Sequence, residues 1–376
     1  MHSIATGLEL LRPPTVEFGI GRIARLSEWA TARRARRTLV VTGNFNGNRT
    51  GLLGLPGEVQ VFAGVAPEPD VACLDAAIKV ARAFAPDLVV GFGGGSALDI
   101  AKLVAVLTNS SQTLTDVVGP EKVLGRAIGL AQVPTTAGTG SEVGTRALVT
   151  DPVSRNKLAV QSRFMLADIA VVDPELMHSV PAHITAETGI DAMAHCVEAF
   201  TNIKAHPAID LYALEGTRLV GRYLRRAVAD GNDTEARAGL ALASLYGGIC
   251  LGPVNTAGGH AIAYPLGTRH KIAHGAANAV IFPHVLAFNA PVASEKTAAV
   301  LTALGLEASS NPDVVSKVAH AYCESLGIEM HMSRRGVPVS DLPAMADDAF
   351  AIKRLIDNNP RTLTRDAIFD MYRHAY

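Results

Sequence analysis

The sequence predicts an N-terminal α/β domain with a parallel sheet in residues 1–177, followed by an all-α domain in residues 178–376. A length of 376 residues is too great for one ordinary hydrophobic core. Short β-branched runs alternate with helical patterns in the first half, as in strands joined by helical crossovers. From about residue 181 onward, nearly every apolar run has helical spacing instead.

The elements of the first domain follow in order along the chain. Predicted strands cover residues 15–19, 38–42, 59–62, 86–91 and 168–173. Predicted helices cover residues 23–32, 71–84 and 97–107. The run at 38–42, Thr-Leu-Val-Val-Thr, is typical of a parallel strand buried on both faces.

The second domain reads as a series of helices. They are predicted at residues 182–200, 209–228, 234–251, 274–287, 293–304, 314–326 and 343–353. Pro283 is expected to interrupt the fourth, since proline removes a backbone donor.

Composition excludes several kinds of partner. A hydrophobic content of 48% with a net charge of -1 favours a soluble globular protein and attracts neither nucleic acid nor an anionic membrane surface. No apolar run is long enough to cross a bilayer. The four cysteines are widely spaced without a C-x-x-C pair, which indicates reduced thiols and a cytoplasmic location.

Four side chains suggest a metal site. Asp191 and His195 are four residues apart in a predicted helix and therefore share one face. His260 and His274 stand out further along the chain. Three imidazoles and one carboxylate suit Zn²⁺ or Fe²⁺, with room for a substrate oxygen. Taken singly, however, an Asp/His pair at this spacing is more often a surface or capped-core pair.

Two loops suggest a cofactor. Residues 91–96, Gly-Phe-Gly-Gly-Gly-Ser, lie between a strand and a helix, where glycines and a helix N-terminus can hold a pyrophosphate. Residues 133–142 combine hydroxyls and glycines after a strand, as a cofactor-lining loop does. The alternatives are a tight turn for the first loop and a capped helix start for the second.

With these residues in view, the chain resembles the iron-containing (group III) alcohol dehydrogenases, which have a dehydroquinate-synthase-like fold. The resemblance covers almost the whole length and rests on Gly93-Gly94-Gly95-Ser96, the run Pro-Thr-Thr-Ala-Gly-Thr-Gly-Ser-Glu at 134–142, Val171-Val172-Asp173-Pro174, Asp191 with His195, His260 through His274-Gly275 to Asn278, and Asn358-Asn359-Pro360-Arg361. It implies a dinucleotide-binding first domain, a metal-binding second domain and a homodimer. The implied reaction is hydride transfer between NAD or NADP and a small alcohol or aldehyde, with a hydroxy acid as another substrate.

The resemblance also implies roles for individual residues. The metal ligands, for Fe²⁺ or alternatively Zn²⁺, are Asp191, His195, His260 and His274. The pyrophosphate loop is Gly93, Gly94, Gly95 and Ser96, and the nicotinamide side is lined by Thr135, Thr136 and Thr139. Lys157 stands where relatives contact the cofactor ribose, and a solvated surface lysine is the alternative.

Two positions depart from the family pattern. Many relatives carry an aspartate for the adenosine ribose where this chain has Gly43, followed by Asn44. Without that carboxylate a 2′-phosphate is not repelled, so NADP should be tolerated. Some relatives carry a proton-relay histidine where this chain has Tyr264, a weaker base at neutral pH. His270 is a possible substitute relay, or a surface residue.

Other enzyme classes stay open at this point. One is a maleylacetate-reductase-type enzyme acting on an enoate or keto acid. Another is a metal-dependent cyclase of the dehydroquinate-synthase type, which needs several cations at the metal. Between residues 260 and 278 only Arg269 and Lys271 are cationic, which disfavours the cyclase. A catalytically silent metal- or nucleotide-binding protein is the third alternative.

Overall fold

In the computed structural model, which describes residues 4–153 and 157–376, contacts divide the chain into two units. One unit consists of Leu11–Thr136 and Gly140–Ser179, and the other of Val180–Tyr376 with Ala137–Thr139 and the N-terminal segment ending at Leu10. The domain division between residues 177 and 178 stays a prediction. The contacts place the change after Ser179, and they assign Ala137–Thr139 to the helical unit.

The first unit is built on a six-stranded parallel sheet in the order β1-β9-β6-β4-β2-β3, which confirms the predicted α/β class. Its strands are β1 (Thr15–Phe18), β2 (Arg37–Thr42), β3 (Glu58–Phe62), β4 (Leu88–Gly93), β5 (Gly119–Pro120), β6 (Gly129–Pro134), β7 (Arg146–Thr150), β8 (Lys157–Gln161) and β9 (Ile169–Val172). Its α-helices are α1 (Ala24–Ala32), α2 (Asn44–Gly47), α3 (Val71–Phe84), α4 (Gly95–Leu107) and α5 (Leu114–Val117).

Side-chain alternation along the central strands separates two cores. Val41 and Val89 belong to the cluster on one face of the sheet, whereas Val40 and Val90 belong to the cluster on the other. All six residues of β4 are buried, as is usual for a parallel strand covered on both faces. In the parallel register, Gly93 at the end of β4 lies beside Pro134 at the end of β6. The glycine turn (residues 91–96) and the hydroxyl-rich loop (residues 133–142) therefore lie at the same edge of the sheet.

A second, small sheet was not predicted from the sequence. It consists of the antiparallel pair β7 and β8 with the short β5 beside β8. Its strands are two to five residues long, and the sequence analysis assigned none of them. Lys157, one of the predicted cofactor residues, begins β8 and pairs with Thr150.

The second unit is helical, as predicted. Its α-helices are α6 (Ala182–Thr201), α7 (Pro207–Ala229), α8 (Thr234–Leu251), α9 (Gly258–His270), α10 (His274–Asn289), α11 (Ser294–Ala303), α12 (Pro312–Glu324), α13 (Leu342–Ala351), α14 (Lys353–Ile356) and α15 (Arg365–His374). Among the described residues, no helix combines the length and apolar character needed to cross a bilayer.

Four helices of this unit differ from the prediction, because α9, α14 and α15 were not predicted and α10 is not interrupted. The sequence did not predict α9, because Gly258, Gly259, Pro265 and Gly267 obscure its periodicity. The expected interruption at Pro283 is wrong, since α10 continues through that residue. Nearly every residue of α10 is buried, and this packing outweighs the one backbone hydrogen bond that proline removes.

Helix α6 is the centre of this unit, with α7, α8 and α10 packed around it. It is buried without a break from Gly189 to Thr201. Apolar side chains of this stretch, such as Ile190 and Met193, belong to the main core. Asp191, His195 and Glu198 lie in the same buried stretch, where charged and polar groups need partners.

Candidate metal centre and nucleotide-binding loop

The structure brings the four predicted ligands together. Asp191 and His195 are one turn apart on α6, His260 lies on α9, and His274 is the first residue of α10. The Nε2 atoms of the three histidines face one oxygen, Asp191 Oδ1. The distances to that oxygen are 3.8 Å from His195, 3.5 Å from His260 and 3.4 Å from His274.

These separations fit a divalent metal ion. With metal–nitrogen and metal–oxygen bonds of about 2.1 Å, tetrahedral coordination places neighbouring ligand atoms about 3.4 Å apart. The ligand atoms of Asp191, His195 and His260 all lie within 4.8 Å of one another, and these residues are buried. His274 lies outside this three-residue group, and its side chain keeps 30% of its surface exposed, so the set is more open on that side. The donor set of three imidazoles and one carboxylate suits Fe²⁺ or Zn²⁺.

Glu198 is a functional residue that the sequence analysis missed. Its Oε1 lies 2.6 Å from His260 Nδ1, and its carboxylate accepts the backbone N–H groups of Ala257 and His260. A carboxylate at Nδ1 holds a histidine ring with Nε2 directed away from it, as is common for metal-binding histidines. The spacing in the sequence could have identified this residue, because Glu198 follows Asp191 by two helical turns and so shares its face of α6.

The site favours positive charge. Burial raises the pKa of the Asp191 carboxyl, but the three neighbouring imidazoles outweigh this effect and hold the pKa well below its usual range. Burial also raises the pKa of Glu198, and here contact with His260 and two backbone N–H groups lowers it further than burial raises it. Burial lowers the pKa of His260, whereas Glu198 and Asp191 raise it to a net value of about 10. Two buried anions thus stabilise a positive charge at this ring, whether a proton or a divalent ion.

The two predicted relay residues lie in different surroundings. Tyr264 is one turn after His260 on α9, and its ring centroid lies 6.5 Å from that of His260 and 5.6 Å from that of His274. His270 lies at the far end of α9, about 15 Å from His260 at the usual helical rise. Its Nε2 faces Asp341 Oδ2 at 3.5 Å. Among the described contacts, Tyr264 and not His270 is therefore the neighbour of the ligand histidines.

The glycine turn leads directly into α4. Gly94 is the N-cap of that helix and makes no side-chain capping hydrogen bond, and Gly95 and Ser96 are its first two residues. Their backbone N–H groups belong to the helix N-terminus, which attracts anions. A Cβ on Gly93 would lie 2.8 Å from Ala97 Cβ, so the turn has no room for a side chain there. The turn thus leaves the first N–H groups of α4 without a side-chain cap, which is a feature that phosphate-binding loops share.

The three predicted threonines of the hydroxyl-rich loop have different surroundings. Thr135 is buried, its N–H donates to Gly93 O at 2.9 Å, and its Oγ1 accepts from Asn46. Thr136 lies beside the glycine turn, because a Cβ on Gly94 would be 3.3 Å from Thr136 Oγ1. Thr139 belongs to the segment that packs in the helical unit.

That segment is held against the metal-bearing helix. A Cβ on Gly138, the neighbour of Thr139, would lie 2.9 Å from Thr188 Cβ on α6. Thr188 precedes Asp191 by one turn of the same helix. The close approach places the backbone beside Thr139 next to the helix that carries two of the four candidate ligands.

The remaining predicted cofactor residues lie at the ends of strands. Gly43 directly follows β2 and is the N-cap of α2, and Asn44 is the first residue of that helix. A Cβ on Gly43 would be 2.9 Å from the backbone oxygen of Val65, so this backbone has no room for a side chain at residue 43. Lys157 is mostly buried, forms an ion pair with Glu68 and donates to Thr150 Oγ1 at 2.8 Å. Burial lowers the pKa of its ammonium group to about 8.

Family models match both halves of the chain. Residues 13–174 match the model described as iron-containing alcohol dehydrogenase, and residues 185–376 match the C-terminal model of the Fe-containing alcohol dehydrogenase family. A curated relative, long-chain-alcohol dehydrogenase 1 of Geobacillus thermodenitrificans, is 37% identical over 330 residues, covering 85% of this chain and 82% of the relative. The chain belongs to the iron-containing alcohol dehydrogenase family. The resemblance stated from the sequence is thereby confirmed.

Solved structures of the family have the same fold. The crystal structure of a 1,3-propanediol oxidoreductase is 31% identical and superposes with a TM-score of 0.93, covering 99% of this chain and 100% of that one. Sulfoacetaldehyde reductase from Bifidobacterium kashiwanohense, solved in complex with NAD⁺, is 28% identical with a TM-score of 0.88, covering 99% of each chain. As a member of this family, the protein is an alcohol dehydrogenase of the iron-containing type, a metal-dependent oxidoreductase that uses a nicotinamide cofactor.

Proposed function

We propose that Asp191, His195, His260 and His274 bind one divalent ion, Fe²⁺ or Zn²⁺, and that the enzyme interconverts a small alcohol and its aldehyde with NAD(H) or NADP(H). The observation that supports this most strongly is the meeting of three Nε2 atoms around Asp191 Oδ1 at 3.4–3.8 Å. These residues come from three helices and are separated by up to 83 positions, 191 to 274. Such convergence is not expected of side chains that serve only packing.

The protein's own groups have distinct tasks in this proposal. A bound divalent ion supplies Lewis acidity toward the substrate oxygen, and the nicotinamide supplies or accepts the hydride. Glu198 keeps His260 Nε2 directed toward Asp191. The N-terminus of α4 with Gly94, Gly95 and Ser96 holds the pyrophosphate. Tyr264, the aromatic neighbour of His260 and His274, is placed to guide the substrate rather than to act as a strong base.

The substrate is proposed to be a small alcohol or aldehyde without a strong negative charge. Relatives are named for long-chain alcohols, 1,3-propanediol and sulfoacetaldehyde, so the family name alone does not select one. An anion would need a cation near the ligands. Arg269, one of two cations between residues 260 and 278, donates to Asp348 Oδ2 at 2.6 Å and is thus engaged elsewhere. The Arg354 guanidinium lies 5.9 Å from the centroid of the Tyr264 ring and is engaged with that aromatic face. The same observation disfavours a cyclase acting on a phosphorylated substrate.

A panel of alcohols and aldehydes tests the proposal. The full-length enzyme is stripped of metal, reloaded with Fe²⁺ or Zn²⁺ separately, and followed by nicotinamide absorbance. Reloaded enzyme should turn over cofactor in both directions, and stripped enzyme should lose at least about a thousandfold in rate, which equals about 4 kcal/mol. Full turnover by protein verified to contain no metal would remove the ion from the reaction. Absence of net cofactor turnover on every substrate would favour the cyclase.

Cofactor preference should be relaxed. No carboxylate is present at residue 43, and the backbone there leaves no space for one. Because a carboxylate at this place selects against the 2′-phosphate, we expect kcat/KM for NADP to lie within about a thousandfold, or 4 kcal/mol, of that for NAD. The two cofactors are compared with one substrate at fixed ionic strength. A larger preference for NAD would contradict this prediction and indicate another group that recognises the 2′-hydroxyl.

Lys157 should make cofactor binding depend on pH. Its pKa is lowered to about 8 by burial, so it is charged below that pH and neutral above it. If the ammonium group contacts the cofactor, KM for NAD(P) is constant up to about pH 7 and rises above pH 8.

The Lys157→Met variant should raise KM about tenfold or more at pH 7, as expected for one charge-assisted hydrogen bond, and remove that pH dependence. Lys79→Met, at an exposed position of α3, is the matched control. An unchanged KM in Lys157→Met would assign the lysine to its ion pair alone.

We also propose that the enzyme is a cytoplasmic homodimer. The four cysteines are unpaired, and three of them are buried, which suits a reducing compartment. The dimer is carried over from the resemblance to the family. Light scattering of the purified protein measures the assembly, and a monomer at micromolar concentration would contradict it.

A further inference from the structure

Asn278 lies at the metal centre although no ligand role is assigned to it. It follows His274 by one turn of α10, so both side chains point to the same side of that helix. Only 2% of its surface is exposed. Its Nδ2 lies 2.9 Å from Asp191 Oδ1, 3.4 Å from His260 Nε2 and 3.3 Å from His274 Nε2.

The orientation of this amide is dictated by its neighbours. Asn278 Nδ2 donates to Asp191 Oδ1 at 2.9 Å, and a carboxylate oxygen that binds a metal accepts hydrogen bonds. Turning the amide over would bring two oxygens together and leave the NH₂ group without its anion. Nδ2 therefore faces the ligands, and Asn278 donates to the oxygen on which the three histidines converge.

The buried amide of Asn278 also lowers the stability of the folded protein. Its own oxygen, Oδ1, is buried and has no hydrogen-bond partner among the described residues. A buried, unpaired acceptor costs about 1–3 kcal/mol, which a leucine, similarly branched but without polar atoms, would avoid. Stability alone therefore does not account for asparagine at this position. Hydrogen bonds that orient metal-binding carboxylates do account for such residues elsewhere.

We infer that Asn278 is a positioning residue of the metal centre: its amide fixes Asp191 Oδ1 in the direction from which that oxygen binds the ion. The inference rests on the proposed metal site. One helix, α10, then carries both a ligand, His274, and the group that orients the ligand of another helix, Asp191 on α6. Loss of the amide leaves all four ligands in place but frees the carboxylate to rotate.

The test measures metal affinity rather than turnover. Full-length wild type, Asn278→Leu and Asn278→Asp are stripped of metal and titrated with Zn²⁺ against a chromophoric chelator, and their Co²⁺ derivatives are compared by visible absorption. Both substitutions should weaken Zn²⁺ binding about 10–100-fold and change the Co²⁺ spectrum, because outer hydrogen bonds commonly have that effect. Asn278→Leu should keep the thermal stability of the metal-free protein.

Asn289→Ala is the matched control. Asn289 is also a buried asparagine of α10, and its Nδ2 donates to Asn359 Oδ1 at 3.1 Å. This substitution should lower the melting temperature but leave Zn²⁺ affinity and the Co²⁺ spectrum unchanged. If one of the two Asn278 variants does not fold, the other decides. Wild-type affinity and spectrum in a folded Asn278 variant would overturn the inference, as would tighter binding by Asn278→Asp.

Asp191→Ala separates this inference from the proposed function. If wild type binds Zn²⁺ and Asp191→Ala does not, the metal site is established whatever Asn278 does. Wild-type affinity in Asn278→Leu would then overturn only the role of Asn278. If Asp191→Ala binds as tightly as wild type, the proposed metal site itself fails, and with it the role of Asn278.

Discussion

Replacing His274 or His260 by alanine should remove the metal and at least about a thousandfold of kcat/KM together. Each histidine supplies one Nε2 atom 3.4–3.5 Å from Asp191 Oδ1, so its loss leaves three donors and an opening on one side. His260→Ala also leaves the buried carboxylate of Glu198 without its imidazole partner, which should lower stability in addition. His274 has the more exposed side chain, so His274→Ala is the cleaner of the two experiments.

Metal content by elemental analysis and kcat/KM with saturating cofactor are measured on the same preparations. His320→Ala, on α12, is the matched control and should retain both metal and activity. A His274→Ala protein with stoichiometric metal and near-normal kcat/KM would show that this ring is not a ligand. Metal retained without activity would instead assign His274 to the substrate.

Substituting alanine for Gly275 should have an effect of similar severity, by a different route. A Cβ at this position would lie 2.0 Å from the backbone oxygen of Glu187 and 2.5 Å from its carbonyl carbon. Backbone atoms of α6 cannot rotate away as a flexible side chain can. Helix α10 must therefore move away from α6, which separates His274 from Asp191. We expect a loss of about 3 kcal/mol or more in stability, a fall in melting temperature of at least about 6 °C, and weaker metal binding.

Gly252→Ala provides the comparison. Gly252 is the C-cap residue of α8, with φ -61 and ψ -64. A Cβ at this residue would meet no atom within 4 Å. The same chemical change should therefore alter stability by no more than about 0.5–1 kcal/mol, in the stabilising direction. Thermal unfolding of both variants is measured on metal-free protein, followed by Zn²⁺ titration. If Gly275→Ala behaves like Gly252→Ala, the two helices are not packed as closely as the structure shows.

The regular elements were predictable because their signals are local. Strands β2 and β4 and helices α3 and α4 appear within two residues of the predicted positions, since periodic burial is visible within a short window. Helix α9 was missed because glycine and proline hide its period, and the pair β7 and β8 was missed although its strands are as long as β3. In each case tertiary packing stabilises an element whose own sequence is a poor predictor of it.

The candidate site was predictable only in part. Motifs identify Asp191, His195, His260 and His274, because residue type and spacing are properties of the chain. Glu198 was missed although it shares a helical face with Asp191, since a glutamate in a helix ordinarily indicates a solvated surface. Tyr264 and His270 could not be ranked from the sequence, because α9 was not predicted as a helix. In the helix, Tyr264 lies one turn from His260, whereas His270 lies at the far end.

The chain by itself determines the succession of strands and helices, the change from an α/β to a helical half, and the set of residues able to bind a metal. Only the tertiary structure decides that three imidazoles from separate helices direct Nε2 at one oxygen of Asp191, and that Glu198 and Asn278 are the groups beside them. The physical reason is the distance along the chain over which each interaction acts. Backbone propensity and periodicity act over a few residues, whereas the direction of a side chain at a shared site depends on how distant helices pack.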